Sequence, residues 1–197
     1  MDNAEEQRDD PLGSLLAARI RRERDARGWS IAELAAASGV SRAMISRIER
    51  TEASPTAALL GKLSGAFGLT VSQLMARAEA DSTPTRLVRG QERETWTDPE
   101  TAYIRHALTP PGADPEMVLI ELPPGKSVSY PASSYTVMRG QSVWVMSGTL
   151  TIREGGDDTT LHTGDCLAFD MSELKDRAYI NPSETETAKY VVSLARR

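Results

Sequence analysis

Arg42, Arg47 and Arg50 fall five and three residues apart in the segment SRAMISRIER, with Ala43 and Ser46 between them. At 3.6 residues per helical turn these five side chains share one side, while Ile45 and Ile48 take the other. A thin, basic, donor-rich ridge with small residues between its arginines fits a DNA major groove, where guanidinium groups donate in pairs to base edges and neighbouring charges meet phosphate. Such a ridge has to be presented by something. Ser41 stands where a hydroxyl accepts from the first-turn N–H groups of one helix, and Ser30 stands in the same place for the helix before it. Gly39 lets the chain leave that earlier helix at positive φ, and Val40 drops an apolar side chain into the angle. Residues 30–50 therefore read as two short helices joined by a tight turn, with Leu34, Ala35, Ile45 and Ile48 inward and Ser38 small enough to sit beside them.

Charge supports this placement once it is resolved along the chain. The 197 residues carry a net charge of −5, which by itself argues against a nucleic-acid partner. Residues 1–10 hold five acids against Arg8, residues 11–79 balance at +4, and residues 80–197 balance at −5. The positive excess is confined to the segment that holds the ridge. The single cysteine, Cys166, cannot form an intramolecular disulfide, and no apolar run approaches the ~18 residues of a membrane span. The acidic start does not read as a signal peptide. The expected compartment is the cytoplasm.

The surrounding elements follow from periodicity. Residues 1–10 read as a disordered acidic arm. A helix is expected over 11–27, with Leu12, Leu16, Ile20 and Glu23/Arg24 at helical spacing and Gly28 closing it. Arg19, Arg21, Arg22 and Arg27 are expected mostly on its solvent side, within reach of phosphate. Ser54-Pro55 is expected to cap a helix running to Phe67, and a fifth short helix covers 70–75. Five helices with short connections make an all-α domain over 11–75. Residues 76–88 read as a linker. Over 89–197 the period changes from 3.6 to 2, and eight or nine short strands are expected: 102–108, 117–122, 135–139, 142–146, 149–153, 159–161, 166–169, 177–180 and 189–194. That pattern makes an antiparallel double sheet of the jelly-roll kind.

The run GWSIAELAAASGVSRAMISRIERTEASPTAALLGKLSGAFGLTVSQLM resembles the Cro/repressor (XRE-type) helix-turn-helix domain from about Leu12 to Met75. The resemblance implies that the helix from Ser41 enters the major groove, with Arg42, Ala43 and Arg47 over bases, Ser46 beside them and Arg50 toward phosphate. It also implies a structural pair between Arg24 and Glu49, linking the first and third helices. Position 31 is Ile where many relatives carry a polar phosphate ligand; backbone N–H groups at the Ser30 end are the expected substitute.

The turn P-G-K near Gly125, the hairpin VWVMSGTLTI, the turn LHTGDCLAFD and the segment RAYINPS resemble the cupin fold over roughly residues 100–195. Cupins frequently hold a divalent metal, yet here the glutamate position falls on Gln141, the first two histidine positions on Ser134 and Thr136 or Tyr135 and Val137, and the last on Arg177. An amide and a guanidinium are poor metal ligands, so no metal and no cofactor are expected. The chain's only histidines, His106 and His162, read as ordinary surface or core residues, and Cys166 as a small buried hydrophobe.

What remains is a barrel mouth suited to a small molecule. Tyr135, Gln141, Arg177, Tyr179 and His106 are its candidate ligand-binding residues. Arg177 either pairs an anionic ligand or pairs with a nearby acid such as Asp170 or Glu173 and simply fills the mouth. The leading expectation is a homodimeric, sequence-specific transcription regulator that binds double-stranded operator DNA, carries a metal-free cupin-like sensor for a small effector, and has no catalytic residues. A metal-dependent cupin enzyme of oxygenase or epoxidase type, or a protein-binding scaffold, are the alternatives.

Overall fold

The computed structural model describes residues 11–78, 86–91 and 93–196; the acidic arm and most of the expected linker, 79–85, lie outside them. The helical half contains α1 (Pro11–Asp25), α2 (Ile31–Ser38), α3 (Arg42–Glu49), α4 (Ala57–Phe67) and α5 (Val71–Ala78). Its corner forms as the residue types demand. The Ser30 hydroxyl accepts from the Glu33 N–H while Glu33 reaches back to the Ser30 N–H, a capping box, and Gly39 leaves α2 at φ 68°. Ser41 caps α3 by accepting from the Met44 N–H. The start of α4 differs from expectation. Thr56 is its N-cap, accepting from the Leu59 N–H, and Pro55 is buried outside the helix.

Leu16, Ile20, Leu34, Ile45, Ile48, Leu60, Leu63 and Leu74 are wholly buried and form the helical core. Each side chain of this size contributes about 1.5–3 kcal/mol when removed from water. Ion pairs tie its rim. Arg24 grips Glu49 with both edges of its fork, Nε to Oε1 at 2.7 Å and Nη2 to Oε2 at 2.8 Å, and gives Nη1 to the Trp29 carbonyl at 2.7 Å. Glu23 is buried and receives Arg19, Arg27 and Arg77. Burial alone would raise its carboxyl, but hydrogen bonds from these three arginines outweigh it and bring the pKa down to about 2. Arg19 and Arg27 are thus structural and only part exposed, correcting their expected solvent-facing placement; Arg27 also donates to the Phe67 carbonyl. Arg21 and Arg22 are exposed.

Among the described residues the β half contains ten strands: β1 (Thr95–Thr97), β2 (Ile104–Ala107), β3 (Glu116–Leu122), β4 (Ser127–Tyr130), β5 (Met138–Ser147), β6 (Thr149–Glu154), β7 (Asp157–His162), β8 (Cys166–Ala168), β9 (Arg177–Ile180) and β10 (Ala188–Arg196). They form a six-stranded sheet, β1-β2-β3-β10-β5-β8, and a four-stranded sheet, β4-β9-β6-β7, all antiparallel. This is the cupin-like double-stranded β-helix. Three details depart from expectation. β1 and β4 were not expected, being only three and four residues long. The expected strand over 135–139 begins as a 3-10 turn, Ala132–Tyr135, before β5 starts at Met138. Cys166 is exposed, because β8 is an edge strand and Cys166 pairs with Trp144 on the outward face.

The two halves pack directly. Asp98, from the turn after β1, is buried and accepts from the Ala57 N–H at 2.7 Å, satisfying a first-turn donor of α4 from the other half. The 3-10 turn lies against α4, where Ser134 donates to the Gly61 carbonyl at 2.9 Å. A Cβ at Gly61 would come 2.5 Å from Tyr130 Cδ1, and one at Gly65 2.9 Å from the Ser133 carbonyl oxygen. Two glycines one turn apart are what allow this approach.

Candidate DNA interface and barrel cavity

On α3 the side chains of Arg42, Ala43 and Arg47 are exposed, Ser46 is half-buried, and Ile45 and Ile48 face the core. Among the described residues neither Arg42 nor Arg47 has an acidic partner. Arg50 is different. It pairs with Glu52, Nε to Oε1 and Nη2 to Oε2 both at 2.9 Å, so part of its charge is already neutralised. Ser30 and Ser41 are exposed at the starts of α2 and α3, but their hydroxyls are engaged in capping. The Ser30 N–H, expected to be open to phosphate, is taken by Glu33 Oε2 at 2.7 Å. The same bonds hold the Glu33 carboxyl below its usual range.

Inside the barrel, five tyrosines at 103, 130, 135, 179 and 190 and the side chains of Val118, Ile120, Val128, Met138, Val192 and Leu194 enclose a cavity whose polar lining is Ser72, Arg105, Ser134 and Gln141. Tyr179 stacks flat on Tyr190, their centroids 6.0 Å apart. Burial pushes the Tyr179 hydroxyl up to about 12 and those of Tyr130, Tyr135 and Tyr190 well above their ordinary value, so all remain protonated near neutral pH. Of the expected ligand-binding residues, Tyr135, Gln141 and Tyr179 line this space. Gln141 donates to the Tyr179 hydroxyl at 2.9 Å, and the buried Tyr135 hydroxyl makes no hydrogen bond of good geometry.

Arg177 and His106 are corrected. Arg177 is buried behind the cavity wall, giving Nε to Glu154 Oε1 at 2.6 Å and Nη1 to the Gln141 side-chain Oε1 at 2.6 Å, with its guanidinium 4.0 Å from the Phe169 ring centre and 4.5 Å from that of Tyr135. Its acid is neither Asp170 nor Glu173. Glu154 stands directly across from it in the β6–β9 ladder, a neighbour that only strand register reveals. His106 sits outside the barrel, its Nε2 3.2 Å from Glu121 Oε1 and its Nδ1 3.1 Å from Thr95 Oγ1. The residue that sequence reading missed is its neighbour, Arg105, which the alternation of β2 turns inward. The signal was present in the period-2 pattern: Tyr103 and Arg105 share a face, and His106 has the opposite one.

These residues do not fit the metal that cupins frequently hold. Gln141 and Arg177 are bonded to each other, so an ion there would meet a guanidinium; among the described residues no cluster of three or more His, Cys, Asp or Glu could hold one.

A family model for helix-turn-helix domains, HTH_3, matches residues 20–74, which span the corner and the Arg24–Glu49 pair. Residues 20–74 are an HTH_3 helix-turn-helix domain. The chain is 29% identical over 163 residues to the HTH-type transcriptional regulator SutR of Escherichia coli (strain K12), covering 80% of this chain and 83% of that protein. A 77-residue match at 39% identity joins it to the uncharacterized HTH-type transcriptional regulator Rv0023 of Mycobacterium tuberculosis (strain ATCC 25618 / H37Rv), covering 38% of this chain and 30% of that protein. The whole architecture is similar to that of an HTH_3 family transcriptional regulator from Vibrio cholerae, with a TM-score of 0.75 over 95% of this chain and 98% of that one at 24% identity. Among the described residues no helix is long and apolar enough to cross a membrane.

Proposed function

We propose that this protein is a sequence-specific DNA-binding transcription regulator that works as a homodimer and whose barrel receives a small-molecule effector. The observation that carries the DNA reading is the α3 ridge: Arg42 and Arg47 project from a helix locked by its Ser41 cap and by Glu49–Arg24, and no described acid neutralises them. A guanidinium held in that state is ready for base edges or phosphate. Operator binding by Arg42→Ala and Arg47→Ala tests it. Each is expected to lose about 1–3 kcal/mol of DNA affinity while the fold is unchanged; specific binding at the unsubstituted affinity by both would sink the assignment.

The dimer has a geometric motive and a surface. One recognition helix covers a few base pairs, and two held about 34 Å apart read a palindromic pair of half-sites. The outward face of the six-stranded sheet carries Trp144 and Met146, about half exposed at 48% and 47%. Trp144 lies there between Cys166 of β8 and Val191 of β10. Trp144→Asp is expected to give a folded monomer by sedimentation, with operator affinity reduced well beyond ten-fold because the second head is lost.

A further inference from the structure

The roof of the barrel cavity is supplied by the helical half. Val71 and Ser72, on the first turn of α5, line it together with residues of the two sheets. Arg105 stands at that joint. It is 7% exposed, and its Nη2 donates to the Ser72 hydroxyl and, at 3.2 Å, to Glu116 Oε1. The same residues, Ser72, Arg105 and Glu116, border a smaller hollow on the other side of the seam. The Arg105–Ser72 bond is therefore part of the partition between the barrel interior and the junction of the two halves.

We propose that the cavity takes a small carboxylate with an apolar, aromatic or branched body, that Arg105 grips the carboxylate, and that the grip replaces the Ser72 hydroxyl, loosening α5 from the barrel. The inference rests on the small-molecule reading above and gives it a ligand class and a route to the DNA-binding half.

Four observations support it. The cavity volume is about 80 Å³, about half of the roughly 150 Å³ that holds benzene, so it suits a short branched acid directly and an aromatic one where the walls give. Its walls are phenol rings and branched aliphatic side chains, which suit an apolar body. The buried phenols remain protonated and can donate, so the lining favours a ligand rich in acceptors. Of the two buried arginines described in the barrel, Arg177 is enclosed by Glu154, Gln141 and two aromatic faces behind the wall, whereas Arg105, though bonded to Ser72 and Glu116, borders the cavity itself.

The competition has a clear direction. A guanidinium bonds a carboxylate through two parallel N–H groups, and such charge-assisted bonds are roughly twice as strong as one to a neutral hydroxyl. A carboxylate spanning Nη1 and Nη2 takes Nη2 from Ser72 and competes with its longer, 3.2 Å bond to Glu116. The first turn of α5 then loses a tie to the barrel, while Asp98 and Gly61 still hold α4. By reciprocity, any state of the helical half that favours this loosened α5 binds the acid more tightly.

The test uses the full chain with benzoate, phenylacetate and 3-methylbutanoate, each compared with its neutral amide by calorimetry, and with amide hydrogen exchange read across residues 70–75. At least one acid is expected to bind about ten-fold or more tightly than its amide. Bound acid should raise exchange in the first turn of α5 several-fold. Ser72→Ala should raise it without ligand and keep acid binding, and Arg105→Gln should bind acid and amide alike. If no acid binds, if the amides bind as well, or if a folded Arg105→Gln retains the acid preference, the ligand class and the grip are wrong. Unchanged exchange on acid binding overturns the coupling. Should Arg105→Gln not fold, the acid–amide comparison on the unsubstituted chain and Ser72→Ala still decide. Operator binding by the unliganded protein survives every one of these failures, which separates them from a failure of the regulator reading.

Discussion

The arginines of α3 and those of the barrel are the same residue in two opposite settings. Arg42 and Arg47 stand in solvent with no described acid beside them, while Arg177 is 1% exposed and enclosed by a carboxylate, an amide oxygen and two aromatic rings. A solvated guanidinium costs nothing to leave unpaired and can be matched later by a partner. A buried one must be compensated in the folded chain itself, or the desolvation of its charge would open the structure. The difference teaches which cations are available for recognition: those whose hydration substitutes for a partner. Arg105 lies between these extremes, buried yet bordering open space.

The largest test of this contrast is in the barrel. Glu154→Ala leaves the Arg177 guanidinium buried without its carboxylate, and about 3 kcal/mol of unfolding free energy should be lost in denaturant titrations. Operator affinity of the molecules that remain folded should not change. Equal loss from Arg42→Ala in the same titration would break the comparison, since exposed substitutions normally stay within about 0.5 kcal/mol.

A second test concerns Glu23, the buried acid that organises Arg19, Arg27 and Arg77. Its carboxyl is depressed to about 2 from an ordinary 4.5, so the stabilisation is fully present above about pH 4.5 and is lost as pH falls toward 2. Acid titration of thermal stability should show a descending limb in that window, and Glu23→Gln should flatten it. An unaltered limb would mean the arginine cluster does not hold the charged form.

The smallest effect is expected at Arg50. Because Glu52 already neutralises part of its charge, Arg50→Ala should weaken operator binding less than Arg42→Ala or Arg47→Ala and lower the salt dependence by at most about one counterion. A loss as large as theirs would show that DNA pulls Arg50 away from Glu52.

Much of the helical half was legible because its signals are local. Ser30 and Glu33 lie three residues apart in a capping box, and Gly39 and Val40 mark a turn within one helix of their partners. The Arg24–Glu49 pair came from family resemblance and is present in the structure. The barrel was legible as strands and turns, but its interior was not. The polar set assigned to the mouth retained Tyr135, Gln141 and Tyr179, and lost Arg177 to Glu154 and His106 to the outer face. Cys166, expected inside, faces out from an edge strand.

By itself the sequence determined the helical corner, the basic ridge, the change of period from 3.6 to 2 and the poverty of metal ligands at the cupin positions, because each depends on residues within a turn or two of one another or on composition. Tertiary structure alone decided which acid faces Arg177, that Asp98 caps a helix 41 residues before it, and that α5 closes the barrel over Arg105. Those contacts depend on strand register and on the docking of two halves. A one-residue shift of register turns every side chain of a strand to its other face, so nothing in the local pattern could have fixed them.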